Sequence, residues 1–535
     1  MKSAIGKIYT ADKRQALAVG LAASMAAVLL LSLISIVIFI LIRGSSYFWP
    51  ASINTIEYSD FHSGKTEQVF GQILMSRVPA STFAEDRVIE QGLEQHWLMS
   101  RVENGELIQS NEIILPTQIV SSRNELDIAE LRLTDGTRAF IAPAGIRTED
   151  REYVDLVEFS DVHKNVKILQ RQLKVIRDEH LSPIHRQIAQ YDRDGVALDA
   201  PARVKLLNEF EHFQRAIGNL EQALNGYQLV VRDAMGKQAL VPMGNIVSVN
   251  FPNRLGFWGK MGFAAQRIWG FLTEEPKLAN TAGGVFPALF GTVLMILLMT
   301  VIVTPFGVLA AIYLSEYAPN NSLTAAVRIA VSNMAGVPSI VYGVFGLGFF
   351  VYGIGGTIDS LFYSDRLPSP TFGTPGLFWA SLTMALLTLP VVIVATEEGL
   401  KRVPQGLRDS SYALGATKIE TIWYTVLPVA SPAIMTGVIL ACARAAGEVA
   451  PLMLVGAVKF APTLPVDGDF PFLHVERQFM HLGVFIYDGT FHSQVNSQGS
   501  SMMFAACLLL LVCVFGLNFV AIKLRSRLRK RYARD

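Results

Sequence analysis

Asp409-Ser410-Ser411-Tyr412-Ala413-Leu414-Gly415, followed by Val426-Leu427-Pro428, sits inside the apolar half of the chain. Small residues give a turn of helix, a glycine breaks it, and a Leu-Pro pair opens the next apolar stretch. That stretch carries Arg444 and Glu448 at hydrocarbon depth. The pattern predicts a polar helix-turn-helix held between two membrane spans.

Composition agrees. Of 535 residues, 51% are hydrophobic and only 17% charged, so membrane spans are expected and the chain exceeds one ordinary domain. A formal net charge of +1 argues against a dedicated nucleic-acid binder. Cys442, Cys507 and Cys513 all lie in apolar runs, which leaves no disulfide framework for the polar region and no zinc-type spacing.

Ala16 to Ile42 contains no charge and exceeds the roughly 20 residues a helix needs to cross hydrocarbon. Lys2, Lys7, Lys13 and Arg14 precede it and place the amino terminus in the cytoplasm. A cleaved signal peptide would have a shorter apolar core and a small-x-small site, so an uncleaved anchor is the reading taken. Five further spans are expected at Val285–Tyr313, Ala325–Ile354, Gly376–Thr396, Val429–Ala457 and Met502–Ile522. Six spans return the chain to the cytoplasm, where Lys523, Arg525, Arg527, Arg529, Lys530, Arg531 and Arg534 form a basic tail. The loop 397–428, with Lys401, Arg402, Arg408 and Lys418, falls on the same side. Pro287, Pro305, Pro338 and Pro390, and the glycines from Gly343 to Gly356, mark helices that either pivot or pack closely.

The organisation read from the sequence is a first span (1–43), a polar insert (44–253), an amphipathic segment (254–278), a membrane core (279–522) and a basic tail (523–535). The fold class is an all-α polytopic membrane protein with a large α+β insert, periplasmic by topology. Within the insert, Asn111–Leu115, Leu131–Leu133 and Ala139–Ile141 around Asp135-Gly136 read as strands. A second unit, Leu229–Val231 and Ala239–Pro242, turns at Met235-Gly236; it is either a duplicated hairpin or part of one sheet interrupted by helices. The interruption, about 155–225, has Val166, Leu169, Leu173 and Ile176 in a/d rhythm, then Leu207, Phe210, Phe213, Ile217, Leu220 and Leu224. An antiparallel coiled-coil hairpin turning at Asp194-Gly195 is expected, with Pro183 kinking or ending its first arm. From Arg254 to Leu272, Phe257, Trp258, Phe263, Ile268, Trp269 and Phe271 alternate with Lys260 and Arg267, which suits a helix lying against membrane lipids.

Covalent chemistry finds no home. Gly64-Lys65-Thr66 resembles the end of a phosphate-binding loop, but Ser59 stands where the earlier glycine is required. His180 and His185 flank Pro183 at a spacing poor for a shared metal, so no metal site, cofactor or catalytic residue is expected. Arg444 and Glu448, four apart, should share a helix face, with Arg444 on the order of 20 Å into its span. Charges at such depth cost roughly 2.5–3.5 kcal/mol each on insertion scales and persist when paired or beside a water-filled path. Arginine offers a donor fork that fits phosphate oxygens, and Glu448 would hold it; a purely structural pair is the other reading.

Several motifs carry a family resemblance: Thr396-Glu397-Glu398-Gly399-Leu400, Val403-Pro404, Tyr412–Thr417, Leu427-Pro428 and Ala443–Leu452 with its Arg-x-x-Gly-Glu-x-x-Pro core. From about Ala279 onward, with the first span, the chain resembles the PstA-type permeases of bacterial phosphate ABC importers. That resemblance implies a six-span MetI-like core in the bacterial inner membrane. It also implies a second permease subunit, an ATPase homodimer that uses the ATP and magnesium, and a periplasmic phosphate-binding protein. It assigns Arg444 and Glu448 to phosphate passage. It makes Asp409, Ser410, Ser411, Ala413, Gly415, Leu427 and Pro428 part of the segment that docks on the ATPase. Asp-Ser-Ser replaces the usual Glu-Ala-Ala, and Ala395 stands where some relatives have arginine. A permease for sulfate, molybdate or phosphonate is the near alternative, and an envelope sensor or scaffold the distant one. The insert is expected to stabilise docking of the binding protein or the partner permease.

Overall fold

A computed structural model describes residues 2–59, 66–77, 94–114, 118–148, 159–193, 195–197, 200–277, 282–364, 369–468, 470, 472–492 and 497–532. Leu115, Gly64, Lys65, Asp194 and Arg534, used above, lie outside the described residues. The chain forms two compact units: Met1–Phe48 with Ile268–Val495 and Gly499–Asp535, and Trp49–Arg267 with Asn496–Gln498.

The chain begins with α1 (Lys2–Ser46), whose run Gln15–Ser46 is long and apolar enough to cross a membrane. The polar unit follows. Strands β1 (Asn54–Ser59), β2 (Thr66–Arg77), β3 (Glu94–Glu103), β4 (Glu106–Ile114) and β5 (Ile119–Arg123) form an antiparallel sheet in the order β4-β3-β2-β1-β5. Its β3–β4 hairpin turns on Asn104 and Gly105, both at positive φ (52° and 80°), as a two-residue primed turn demands. Strands β6 (Ala129–Leu133), β7 (Arg138–Arg147), β8 (Gln228–Arg232), β9 (Gln238–Pro242) and β10 (Ile246–Asn250) form a second sheet, ordered β10-β6-β7-β8-β9. The two hairpin units of the sequence therefore belong to one sheet, with β7 paired to β8 across the helical interruption. Buried Leu98 and Phe140 share a core between the sheets, and Ser100 Oγ accepts the Phe140 N–H at 2.8 Å.

Apart from a short non-helical stretch at 195–197 and 200, the described part of the interruption is helical: α2 (Phe159–Val175), a π-helical turn at Ile176–Leu181, α3 (Ser182–Arg193) and α4 (Pro201–Asn225). The arms run antiparallel. Arg177 faces Glu221 at 3.6 Å, His180 stacks on Phe213 at 4.6 Å, His185 meets the Phe210 edge at 4.9 Å, and Arg203 pairs with Asp192. His180 and His185 are thus exposed residues that also make ring contacts across the pair. Pro183 does not end the arm. The widened π turn immediately before it absorbs the hydrogen bond that proline cannot make. At the base, Val166 is buried and Leu169 and Leu173 pack on the second sheet beside Leu229 and Val231, so part of the heptad stripe covers the sheet.

Helix α5 (Phe257–Thr273) leaves Phe257, Trp258 and Trp269 exposed, while its Arg267 donates to both carboxylate oxygens of buried Glu130 at 2.6 Å. The membrane unit then comprises α6 (Phe286–Ile312), a π turn at Tyr313–Tyr317, α7 (Ser322–Met334), α8 (Ser339–Phe345), a π stretch at Gly346–Gly355, and α9 (Gly356–Phe362). It continues through α10 (Leu377–Lys401), α11 (Gln405–Ala413), α12 (Lys418–Glu420), a π turn at Thr421–Val426, α13 (Leu427–Gly447), α14 (Ala450–Val455), α15 (Leu482–His492) and α16 (Ser497–Tyr532). Among the described residues six helices are long and apolar enough to span: Gln15–Ser46, Phe286–Tyr317, Ser339–Phe362, Leu377–Lys401, Lys418–Gly447 and Ser501–Arg527. Helix α10 is central. Its Leu377, Ala380, Met384 and Leu387 pack against Met295 and Met299 of α6 and Ala441 and Ala445 of α13.

Two spans differ from those read in the sequence. The third begins at Ser339 rather than Ala325, because Gly336 and Pro338 separate α7, N-capped by Asn321, from α8. The fifth begins at Lys418 and stops at Gly447, with Glu448 in extended backbone (φ −84°, ψ 129°) before the short α14. Pro428 consequently lies inside a continuous helical path, again directly after a π turn, as Pro183 does. Of the glycines near the third span, Gly343 and Gly346 are packing sites. A Cβ on Gly343 would lie 2.7 Å from Pro451 Cα, and one on Gly346 would strike Thr383.

Candidate coupling segment and intramembrane ion pair

The polar excursion between α10 and α13 is built by local rules. Pro404 starts α11, Leu414 ends it, and Gly415 reverses the chain at φ +85°, a region costly for any residue with a Cβ. Thr417 then caps α12: its hydroxyl and main-chain N–H both meet the Glu420 carboxylate at 2.7 Å, completing a capping box. The Ser411 and Thr421 hydroxyls join the two arms at 2.9 Å. The tip also carries an apolar set: Leu414 is 90% exposed, with Tyr412, Ile419, Trp423 and Tyr424 exposed beside it. Asp409, Ser410 and Ala413 are exposed on α11, while Leu427 and Pro428 lie further along the helical path. The sequence-read residues are therefore divided between a bare helix-turn-helix and the root of the next span.

The segment is fastened by charges that the sequence reading passed over. Arg408 donates to Glu316 Oε1 at 2.6 Å and to Leu400 O at 2.9 Å. Lys418 reaches the Glu316 main-chain oxygen and sits 4.6 Å from the Tyr317 ring centroid. Nearby, buried Glu397 on α10 accepts Lys401 at 2.8 Å and faces Arg328 of α7 at 3.1 Å. The available signal was a lone acid, Glu316, closing an apolar run, with unpaired bases further along the chain.

Arg444 Nε lies 3.6 Å from Glu448 Oε1, and both side chains are about a quarter to a third exposed (34% and 23%). They meet, but not as two residues on one helix face, because the helix ends between them. Pro451 and the close approach of Gly343 fix the break. The buried Arg444 Nε has no hydrogen-bond partner, so the guanidinium keeps donor capacity that the carboxylate does not consume. Tyr342, within electrostatic reach of Arg444, spends its hydroxyl on Met334 O at 2.8 Å. Ala395 meets Gly437 where α10 and α13 cross: a Cβ on Gly437 would lie 2.6 Å from the Ala395 Cβ, which leaves no room there for a long side chain.

Among the described residues, six apolar helices, a broken fifth span and an exposed helix-turn-helix define a polytopic membrane protein. Residues 303–530 match the family described as "Binding-protein-dependent transport system inner membrane component", and the chain belongs to that family. It is 34% identical over 251 residues to the "Phosphate transport system permease protein PstA" of Yersinia pestis, covering 46% of this chain and 75% of that one. It is 30% identical over 242 residues to the "Probable ABC transporter permease protein YqgI" of Bacillus subtilis (strain 168), covering 44% and 74%. To the "Phosphate transport system permease protein PstA 1" of Mycobacterium tuberculosis (strain CDC 1551 / Oshkosh) it is 36% identical over 198 residues, covering 37% and 58%.

Proposed function

We propose that this chain is a permease subunit of an ATP-driven importer of inorganic phosphate, forming half of the translocation path in the bacterial inner membrane. The observation that carries the reading is the bare apolar tip of the 405–424 segment, rooted in the two most tightly packed spans. A side chain as exposed as Leu414 on a well-capped helix-turn-helix suits burial in another protein. In this reading Asp409, Ser410, Ser411, Ala413 and Gly415 dock on the ATPase, and Leu427 and Pro428 pass its motion into α13. ATP and magnesium belong to that separate subunit, an ATPase dimer. A second permease and a phosphate-binding protein complete the assembly.

Both termini and the coupling segment then face the cytoplasm, and the unit Trp49–Arg267 faces the periplasm, with its helical pair read as a coiled coil. The exposed Phe257, Trp258 and Trp269 lie against lipid at the interface. Arg444 supplies the positive site for the anion, and Glu448 orients the guanidinium while keeping the anion's hold weak enough for release. The insert supports docking of the binding protein or the second permease.

The test is uptake of labelled phosphate, sulfate, molybdate and phosphonate by proteoliposomes holding the assembly purified with its co-encoded subunits. Phosphate uptake that needs ATP and fails in R444A supports the reading. Preference for another oxyanion reassigns the substrate, and an assembly with no ATPase refutes the function.

A further inference from the structure

Three cations from three elements converge on the π turn that closes α6. Arg328 of α7 donates to Leu314 O at 2.6 Å, Arg408 of α11 to the Glu316 carboxylate at 2.6 Å, and Lys418 of α12 to the Glu316 main-chain oxygen. Carbonyls at a helix end lack partners and lie at the negative pole, which explains why bases gather there. The carboxylate adds a directional contact. Glu316 and Arg408 side chains are only 8% and 14% exposed, so the pair is withdrawn from water, unlike an ordinary surface pair. It also links elements far apart in the chain. By covalent connection the 402–417 segment belongs to α10 and α13 alone; through Glu316 it is fastened to α6 as well.

We propose that Glu316 is a positioning residue for coupling, tying the end of α6 to the 405–420 segment so that the two move as one body when the ATPase displaces the segment. This rests on the ATP-driven reading above. Loss of the tie lets the segment rock without carrying α6, so nucleotide is consumed with little transport. Glu316 touches neither the anion nor the nucleotide in this scheme, and its effect appears in the ratio of transport to hydrolysis.

The test uses the complete assembly, with Cys442, Cys507 and Cys513 replaced by serine and spin labels on N320C and Q405C. Between nucleotide-free and vanadate-trapped states the label distance should stay within about half a helical turn, ~3 Å. In E316Q it should shift or broaden beyond that, and phosphate moved per ATP should fall about tenfold while hydrolysis continues. The swapped pair E316R/R408E should regain most of the ratio. The double variant E316Q/R408M, which removes the pair and strands no buried charge, gives the same readout should E316Q fail to assemble. A wild-type distance that changes between states overturns the inference. So does a tie-breaking variant that couples like wild type, or a swap that restores nothing. Uptake of an anion other than phosphate would refute the substrate assignment while the label distances still judge the tie.

Discussion

Replacing Leu414 by alanine separates docking from folding, because the side chain is 90% exposed and contributes almost nothing to the chain's own core. A surface change of this kind alters stability by no more than about 0.5 kcal/mol. If the tip inserts into an ATPase pocket, the same side chain is transferred from water to protein, worth roughly 1.5–3 kcal/mol. At about 1.4 kcal/mol per tenfold, affinity should fall about 10- to 150-fold. Gly415 and the Thr417 capping box stay intact, so the shape of the turn is unchanged. The assay titrates the ATPase into fluorescently labelled permease in detergent and compares Kd and Tm for wild type, L414A and L126A. Leu126 is also exposed, but on the polar unit, and its substitution should leave Kd alone. Equal Kd for wild type and L414A, with unchanged Tm, would refute the docking role of this tip.

Other expectations follow from single contacts. R444A should retain assembly yet lower phosphate uptake about 10- to 150-fold, the value of one charged hydrogen bond of roughly 1.5–3 kcal/mol; R444K, with charge but no fork, should fall between. Uptake in R444A equal to wild type would exclude it from the path. R267A removes the closer guanidinium from Glu130, whose side chain is 4% exposed, and leaves Arg138 at 3.5 Å as a longer, weaker pair. Proteolysis of the polar unit in the full chain should report a loss of about 3–5 kcal/mol, and E130Q/R267M should recover much of it. Burial, and then Lys167, hold the His163 imidazole below its ordinary value, so the native state keeps it neutral. That contribution is intact above about 6.5 and is lost as pH falls below it, because only the unfolded chain then takes up the proton. H163Q should flatten the drop in thermal stability between pH 7 and pH 5; identical slopes would contradict this assignment.

What was readable in the sequence was local. Apolar runs located the first, second, fourth and sixth spans closely, since each is one uninterrupted helix wherever it is described. Gly415 announced the turn because φ sign depends on near neighbours, while the Thr417–Glu420 capping box that follows it emerged only in the structure. Asp135-Gly136 and Met235-Gly236 marked real hairpins for the same reason. The third and fifth spans went astray where hydropathy continues through a break. Asn333–Pro338 and Gly447–Val449 stay apolar enough to hide a change of backbone direction. The tie at Glu316 was invisible because its partners are remote in sequence and meet only after α6, α10 and α11 pack. Joining of the two strand units in one sheet was likewise undecided until β7 paired with β8.

That pairing has a consequence for the helical arms. Arg147 and Gln228 are cross-strand partners, so the chain departs from the sheet and rejoins it at a single rung. A graft replacing everything between them with a tight reverse turn would preserve every strand register on either side. Shortening such a loop changes closure entropy only slowly, at about 0.6 kcal/mol per halving of length. The real expense is the wall that Val166, Leu169 and Leu173 cover: Leu229, Val231 and their neighbours would be left wet. A trimmed version therefore asks for polar replacements on that face, after which the arms become a detachable cassette whose own contribution to uptake can be weighed alone.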